Sequence, residues 1–283
     1  MGLKIEARER RDVFETMTWP RTWLAHPSTK GLSVDDPRTT EARRRIILEK
    51  PFLRGIYAEW YDQIRAALPP GPGPVLEIGS GGGFLKQCYP ELVASDILSV
   101  PGVDVVLDGS ALPFRDRSLR AIVMTNVLHH IGTPRSFLAE ALRCVPEGGR
   151  IICVEPWFSP WAVFVMRIVK HEPFDPKAEA WGFDGNRPLS DSNGALPWIM
   201  FERDRTLFRR EFPEWDIEIS RPGMPFRYLL SGGVSSRMSA PGWSFPFFRY
   251  IDQLVTDRTR LLDMFATIIL TRRMHQDVAG TSK

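Results

Sequence analysis

The segment Val75 to Gln87, VLEIGSGGGFLKQ, places a glycine-rich turn directly after a short apolar run. Glycine has no side chain and tolerates positive φ, so such a turn lets the backbone approach a ligand closely. The apolar run predicts a strand, and the residues after the turn predict the start of a helix. This combination predicts a site for a nucleotide-like cofactor at the end of a strand.

The turn lacks the defining residues of two phosphate-binding motifs. Gly79 and Gly81 are followed by Phe84 where a dinucleotide motif has its third glycine, and no G-K-[ST] ending is present. A carboxylate, Glu77, precedes the turn instead, and Asp96 ends the next apolar run. These carboxylates disfavour a pyrophosphate and favour a cationic ligand with ribose hydroxyls, such as S-adenosylmethionine.

Seven apolar runs predict an α/β fold. They are VLEIG, LVASD, DVVLD, AIVMTNV, RIICVE, WDIEIS and FATIILT, and helix-length segments separate the first five. This alternation predicts a Rossmann-like, doubly wound and mostly parallel seven-stranded sheet. Before the fifth run, Thr133 predicts a helix cap and Pro134 the first helical position.

Composition changes divide the chain further. Residues 1–70 predict an N-terminal helical arm that ends at a stiff Pro/Gly segment, and residues 71–283 predict the main domain. Within that domain, two segments are too long for ordinary loops and predict helical cap insertions, at about 157–212 and 221–262.

Between Val75 and Glu155 the sequence resembles a known family. The segments VLEIGSGGGF, VASD, LDGSALPFRDRSL, NVLHHI and FLAEALRCVPEGGRIICVE occur in the order found in class I S-adenosylmethionine-dependent methyltransferases, within them the small-molecule type 11 group. The resemblance implies S-adenosylmethionine as cofactor, with the glycine turn at its methionine moiety, Asp96 at the ribose and Asp108 near the adenine. The implied cofactor-binding residues are Glu77, Gly79, Gly81, Gly83, Asp96, Asp108, and Gly109 or Ser110. We also predict Asn126, which follows the fourth predicted strand, as a cofactor-binding residue.

Two histidines follow the fourth predicted strand. The carboxyl ends of parallel strands face the ligand crevice, so His129 and His130 are the nearest titratable groups to a reacting methyl group. Histidine suits the removal of a proton from a hydroxyl acceptor near neutral pH. We therefore predict His130, and after it His129, as catalytic residues, the alternative being that one packs and the other stabilises a loop. Glu155 either faces the substrate or ends its strand for structural reasons.

The bulk properties exclude several classes of function. A net charge of +3 without a basic stripe argues against nucleic-acid binding. Cys88, Cys144 and Cys153 have no metal-ligand spacing, so we predict buried reduced thiols and no metal site. The charged N-terminus has no apolar segment typical of a secretory signal, which predicts a cytoplasmic protein.

The predicted function is transfer of a methyl group from S-adenosylmethionine to a small-molecule or lipid-linked acceptor, most readily at oxygen. The aromatic residues after Glu155 suit an amphipathic acceptor or, equally, the core of a helical cap. The segment SFPFFRYIDQLV is compatible with peripheral contact with a membrane surface. Two alternatives stay open, namely carbon methylation of a quinone-like ring, which needs no strong base, and a non-catalytic cofactor-binding or scaffold protein. The acceptor and the oligomeric state are not determined.

Overall fold

A seven-stranded sheet forms the centre of the protein in the computed structural model, which describes residues 25–169, 172–183, 187 and 189–274. The strands are β1 (Val75–Ile78), β2 (Val93–Asp96), β3 (Val105–Val106), β4 (Ala121–Thr125), β5 (Arg150–Pro156), β6 (Trp215–Gly223) and β7 (Phe265–Arg272). Their order is β3-β2-β1-β4-β5-β7-β6. Strands β1 to β5 pair in parallel, and β7 is antiparallel to both β5 and β6. The prediction of a mostly parallel seven-stranded sheet is confirmed.

Helices of ordinary length lie on both faces of this sheet. They are α1 (Pro37–Glu49), α2 (Pro51–Ala67), α3 (Pro134–Cys144), α4 (Pro160–Val169), α5 (Arg205–Glu211) and α6 (Phe245–Thr256). Shorter helical turns are Pro27–Thr29, Leu85–Cys88, Leu128–His130, Leu196–Trp198, Ile199–Arg203, Arg227–Ser231 and Gly242–Ser244. No helix in the described ranges combines the length and the hydrophobicity that crossing a membrane requires.

Strands β1, β4 and β5 are almost entirely buried, and their successive side chains point alternately to one face of the sheet and the other. In β4, Ile122 and Met124 belong to the hydrophobic cluster that includes α3, whereas Ala121 and Val123 belong to the cluster that includes α1, α2 and α4. The first two helices therefore share a core with the sheet. The division of the chain at residue 70 and the two insertions remain predictions.

Two local predictions are partly wrong. Pro134 does begin α3, with Phe137, Leu138 and Ala141 on its buried face, but Thr133 makes no side-chain capping hydrogen bond. Cys144 and Cys153 are buried as expected, whereas Cys88 is exposed because it ends a single helical turn at the surface.

A buried arginine joins α2 to the C-terminal helices. The Arg227 Nε donates to Asp252 Oδ2 at 2.7 Å, and its Nη1 donates to Glu59 Oε2 at 2.6 Å. The side chains of Arg227 and Asp252 are only 4% and 1% exposed. Arg249 also contacts Glu59, at 3.0 Å, but its side chain is 55% exposed. Both arginines therefore contact Glu59, but Arg227 is buried and Arg249 is exposed to solvent.

This difference predicts unequal effects on stability. Arg227→Ala leaves the Asp252 carboxylate buried without its charged partner, so the free energy of unfolding should fall by about 3–5 kcal/mol. Arg249→Ala removes only a solvated ion pair and should cost less than about 1 kcal/mol. Urea unfolding followed by tryptophan fluorescence measures both, and equal losses would contradict a structural role for the buried pair.

Candidate functional site

The predicted site residues meet at one edge of the sheet. Glu77 is next to the last residue of β1, Asp96 ends β2, and Asn126 follows β4. Because β1, β2 and β4 are parallel neighbours, their carboxyl ends lie side by side. The glycine turn after β1 and the histidine turn after β4 are therefore adjacent.

Steric contacts explain why the turn after β1 is built from glycine. Gly79 has a φ of +69°, and a Cβ atom there would clash with the Val127 side chain. A Cβ atom on Gly81 would lie 2.6 Å from Thr40 Cγ2 and 2.8 Å from Asp96 Oδ2. The turn is thus enclosed by α1, by the end of β2 and by the turn that follows β4.

Tyr61, on α2, closes the other side of the glycine turn. A Cβ atom on Gly83 would lie 2.5 Å from the Tyr61 hydroxyl, which accepts a hydrogen bond from Phe84 N at 3.0 Å. Tyr61 is buried, as is its neighbour Trp60. The aromatic side chains of α2 therefore pack against the sheet and the turn.

Two buried carboxylates lie beside the glycine turn. The Asp96 carboxylate accepts hydrogen bonds from Gly81 N at 3.0 Å and from Leu98 N at 2.9 Å. Burial raises the pKa of Asp96, and these backbone donors only partly offset it. Burial, together with repulsion from Asp96, raises the pKa of Glu77 to about 8. Ionising both acids together is costly because each carboxylate repels the other. A cationic ligand with hydroxyl groups would offset this cost, so the pair favours such a ligand.

The loop after β3 carries the residues predicted at the adenine. Ser110 N and Ser110 Oγ both donate to Asp108 Oδ1 at 2.8 Å, so the exposed Asp108 closes a local turn. Gly109 is buried, and a Cβ atom there would make only ordinary contacts of 3.7 Å with Ile78, Ile131 and Phe137. These contacts place the loop against the end of β1, while adenine binding remains a prediction.

Asn126 occupies a strained position at the start of the histidine turn. Its φ is +57°, and its backbone N donates to Val154 O at 2.8 Å. The side-chain Oδ1 is buried and accepts no hydrogen bond from any residue in the described part of the chain. A buried polar atom without a partner is costly unless a ligand provides one.

These features fit S-adenosylmethionine. Glu77 and Asp96 would hold its cationic and hydroxyl-bearing parts, the glycine turn would allow close approach, and Asn126 has an unused acceptor oxygen. When bound, this cofactor supplies an electrophilic methyl group on a positively charged sulfur. The assignment of each residue to a part of the cofactor remains a prediction.

A polar cluster lies next to this site. We define the His129 cluster as His129, His130, Glu155 and Glu172. Glu155 is fully buried in β5, and its Oε1 accepts hydrogen bonds from Val127 N at 2.8 Å and Leu128 N at 2.7 Å. Its Oε2 lies 2.6 Å from His129 Nδ1. Glu155 therefore orients both the turn and the imidazole.

The other contacts of the His129 cluster involve His130 and Glu172, and the carboxylates of the cluster determine the pKa of His129. Burial lowers the pKa of His129, but Glu155 and then Glu172 outweigh burial, so the net direction is upward. His129 Nε2 lies 3.5 Å from Glu172 Oε2, and the two imidazole ring centres are 4.2 Å apart. The structure thus brings the two predicted histidines together, while their catalytic role remains a prediction.

The sequence did not predict the contacts that Glu155 and Glu172 make with His129. Glu155 was expected to face substrate or to end a strand, yet it is the buried partner of His129. A carboxylate inside an otherwise apolar run, RIICVEP, is the signal that a polar partner must lie nearby. Glu172 has no such signal, because it lies outside the regular elements and reaches His129 only through the tertiary fold.

The steric contacts of Gly81 and Gly82 predict how substitution by alanine changes the affinity for the cofactor. Gly81→Ala introduces a Cβ atom that collides with Thr40 and with the Asp96 carboxylate, so S-adenosylhomocysteine should bind at least tenfold more weakly. Gly82→Ala is the matched control, since its Cβ atom would lie 3.7 Å from the nearest neighbour. Isothermal titration calorimetry compares the two, and equal affinities would show that the turn is not part of the site.

The raised pKa of Glu77 predicts a pH dependence of stability in the cofactor-free protein. Between the ordinary value of 4.5 and about 8, the folded state keeps a proton that the unfolded state has released. The free energy of unfolding should therefore fall as pH rises through this range, by up to ~1.4 kcal/mol per pH unit. Glu77→Gln keeps a neutral side chain and should flatten this slope in urea unfolding at pH 5, 6.5 and 8. Identical slopes in both proteins would contradict the assignment.

Comparison with known proteins identifies the family of the chain. A family model described as a methyltransferase domain matches residues 52–209, more than half of the chain. The demethylmenaquinone methyltransferase of Renibacterium salmoninarum is 28% identical over 166 residues, covering 50% of this chain and 70% of that protein. The ubiquinone/menaquinone biosynthesis C-methyltransferase of Desulfotalea psychrophila is 27% identical over 146 residues, covering 45% of this chain and 59% of that protein. The second match leaves more than a third of that relative unaligned.

Solved structures show the same fold. A S-adenosylmethionine-dependent methyltransferase from Thermotoga maritima superposes with a TM-score of 0.51 at 15% sequence identity, covering 84% of this chain and 98% of that one. At this identity the likeness shows the fold alone. With the matching domain model and the site geometry, it follows that the chain belongs to the methyltransferase domain family and is a S-adenosylmethionine-dependent methyltransferase.

Proposed function

We propose that the protein methylates a hydroxylated, apolar ring of the quinol type, at a ring carbon next to a hydroxyl group. The observation that carries this proposal is the position of the His129 cluster beside the glycine turn. Val127 packs over Gly79, and the histidines follow Val127 by two and three residues. A polar group of the acceptor bound at the cluster would therefore lie close to the methyl donor.

The cluster offers hydrogen-bonding groups to an acceptor that is otherwise apolar. Glu155 and His129 are buried and hold each other in place, so the more accessible His130 and Glu172 are the groups that an acceptor oxygen would meet. Methyl transfer depends mainly on alignment and on exclusion of water. The main task of these residues is therefore to orient the acceptor ring.

The segment between β5 and β6 covers the cluster. Asn193 N donates to His129 O at 2.9 Å, and Phe183 N donates to Gly132 O at 3.2 Å. Trp181 is buried in the same hydrophobic cluster as α3. This arrangement supports a role of the first predicted insertion as a cap that shields the acceptor from water.

An exposed aromatic stripe supports a membrane-borne acceptor. We define it as Trp243, in the turn that precedes α6, together with Phe247 and Tyr250, which lie on one face of α6, and they are 84%, 60% and 59% exposed. The opposite face of α6 packs on α2, with the rings of Phe245 and Phe52 5.2 Å apart. Aromatic residues on the outer face of an amphipathic helix suit the interface of a lipid bilayer, where quinols reside.

The relatives favour ring carbon over oxygen. Two curated relatives are named for methylation in demethylmenaquinone and in ubiquinone or menaquinone biosynthesis, and one of those names specifies a C-methyltransferase. Oxygen methylation, which the sequence predicts, would use the same cluster and stays a prediction. The non-catalytic alternative has no support, since the chain belongs to an enzyme family with its glycine turn and acids in place.

The test is methyl transfer to a defined quinol. Wild-type protein is incubated with methyl-labelled S-adenosylmethionine and a short-tailed demethylmenaquinol in lipid vesicles. We expect label in the organic phase and a methyl group bound to ring carbon in the NMR spectrum of the product. A methyl ether would instead establish oxygen methylation, and no transfer to the quinol would overturn the proposed acceptor.

Surface variants separate acceptor recognition from membrane contact. Trp243→Ser combined with Phe247→Ser should slow transfer to the vesicle-bound quinol severalfold and leave transfer to detergent-dispersed quinol unchanged. Met274→Ser is the control, because this side chain is also exposed, at 75%, but lies outside the stripe. Equal rates for all three proteins on vesicles would remove the membrane contact from the proposal.

A further inference from the structure

The His129 cluster contains the donor set of a cation site. His129, His130 and Glu172 each offer one ligand atom, and these atoms all lie within 4.8 Å of one another. The two imidazoles come from the turn after β4, and the carboxylate comes from the segment that follows α4. Three ligand atoms that converge from two separate segments are what a chelating site requires.

A buried nitrogen of His129 points into this group. The side chain is 1% exposed, and its Nε2 makes no hydrogen bond within the described part of the chain. The nearest carboxylate oxygen, Glu172 Oε2, is 3.5 Å away. That separation is longer than a good hydrogen bond but close to the ~3.3 Å between two ligands of a tetrahedral ion with bonds of about 2.0–2.1 Å.

Glu155 presets His129 as a ligand. Its Oε2 lies 2.6 Å from Nδ1, so in a neutral His129 the proton is on that nitrogen and Nε2 has its lone pair toward Glu172. Glu155 cannot turn away, because its Oε1 accepts two backbone hydrogen bonds. Histidine ligands of metal ions characteristically donate their other N–H to a carboxylate in this way.

We propose that His129, His130 and Glu172 bind one divalent transition cation of the Zn²⁺ type. Two imidazoles and one carboxylate match the three protein ligands of open zinc sites, and nitrogen donors disfavour Mg²⁺ and Ca²⁺. With three protein ligands a fourth coordination position would stay open, and a quinol oxygen could complete the coordination. This use of the cation rests on the proposed function, whereas cation binding itself does not.

The competing explanation is a purely protein-based cluster. In that case His129 is a protonated imidazolium between Glu155 and Glu172, and no cation enters. The two arrangements differ in an observable way, because a bound cation gives a stoichiometric, spectroscopically visible complex and the imidazolium does not.

The experiment uses metal-free full-length protein carrying Cys88→Ser, which removes the exposed thiol as a competing ligand. Titration with Co²⁺ reports coordination through its visible absorption bands, and displacement by Zn²⁺ gives the relative affinity. We expect one equivalent to bind, with Zn²⁺ displacing Co²⁺. Absence of a stoichiometric Co²⁺ complex, or no displacement by Zn²⁺, would overturn the proposal.

Variants assign the complex to the cluster. Glu172→Gln and His130→Ala should each weaken Co²⁺ binding at least tenfold, and both residues are accessible enough to change without burying a lone charge. Glu179→Gln is the matched control, an exposed carboxylate in the same segment. Equal weakening by the control would mean surface binding and would reject the site. Circular dichroism checks that each variant is folded, and a rise in melting temperature on adding Zn²⁺ gives a second readout.

The result separates the two proposals. Stoichiometric binding without methylation of the quinol would leave the cation site intact and remove the proposed acceptor. Methylation of the quinol by cation-free protein that binds no Co²⁺ would leave the proposed function intact and remove the cation site.

Discussion

The buried carboxylate of Glu155 is the constraint on which the site depends. One of its oxygens accepts two backbone hydrogen bonds from the turn after β4, and the other holds the imidazole of His129. A buried charge without such partners would cost several kcal/mol. The turn is therefore fixed in one conformation, with Asn126 at positive φ and Val127 against Gly79. Glu155 thus positions the histidine turn and, through Val127, its contact with the glycine turn.

The two turns have different electrostatic roles. At the glycine turn, burial of two neighbouring acids raises their pKa values, so a cationic ligand is favoured. At the histidine turn, Glu155 has backbone and imidazole partners, and His129 lies between two carboxylates. The first arrangement complements a sulfonium cofactor, and the second can bind a polar group of an acceptor or, as we infer, a cation. Val127 lies between the two turns and contacts Gly79, so the two binding regions are adjacent.

The N-terminal helices contribute to the site as well as to the core. Thr40 on α1 and Tyr61 on α2 contact the glycine turn, and Arg227 joins α2 to the C-terminal helices. Lys50, between α1 and α2, donates hydrogen bonds to the carbonyl oxygens of Ser231, Gly233, Ser236 and Met238. The helices α1 and α2 therefore contact both the glycine turn and the C-terminal helices.

The sequence by itself determined the sheet, the glycine turn and the acids at strand ends, because these depend on local periodicity and on residue types next to each other. All seven apolar runs became strands, although β3 is only Val105–Val106. The tertiary structure alone decided which polar groups meet. Glu172 reaches His129, and Glu155 pairs with an imidazole 26 residues away in sequence, through sheet register and packing of a segment without regular structure. Local sequence patterns do not predict such pairings, because the pairings depend on the positions that distant elements take in the folded protein.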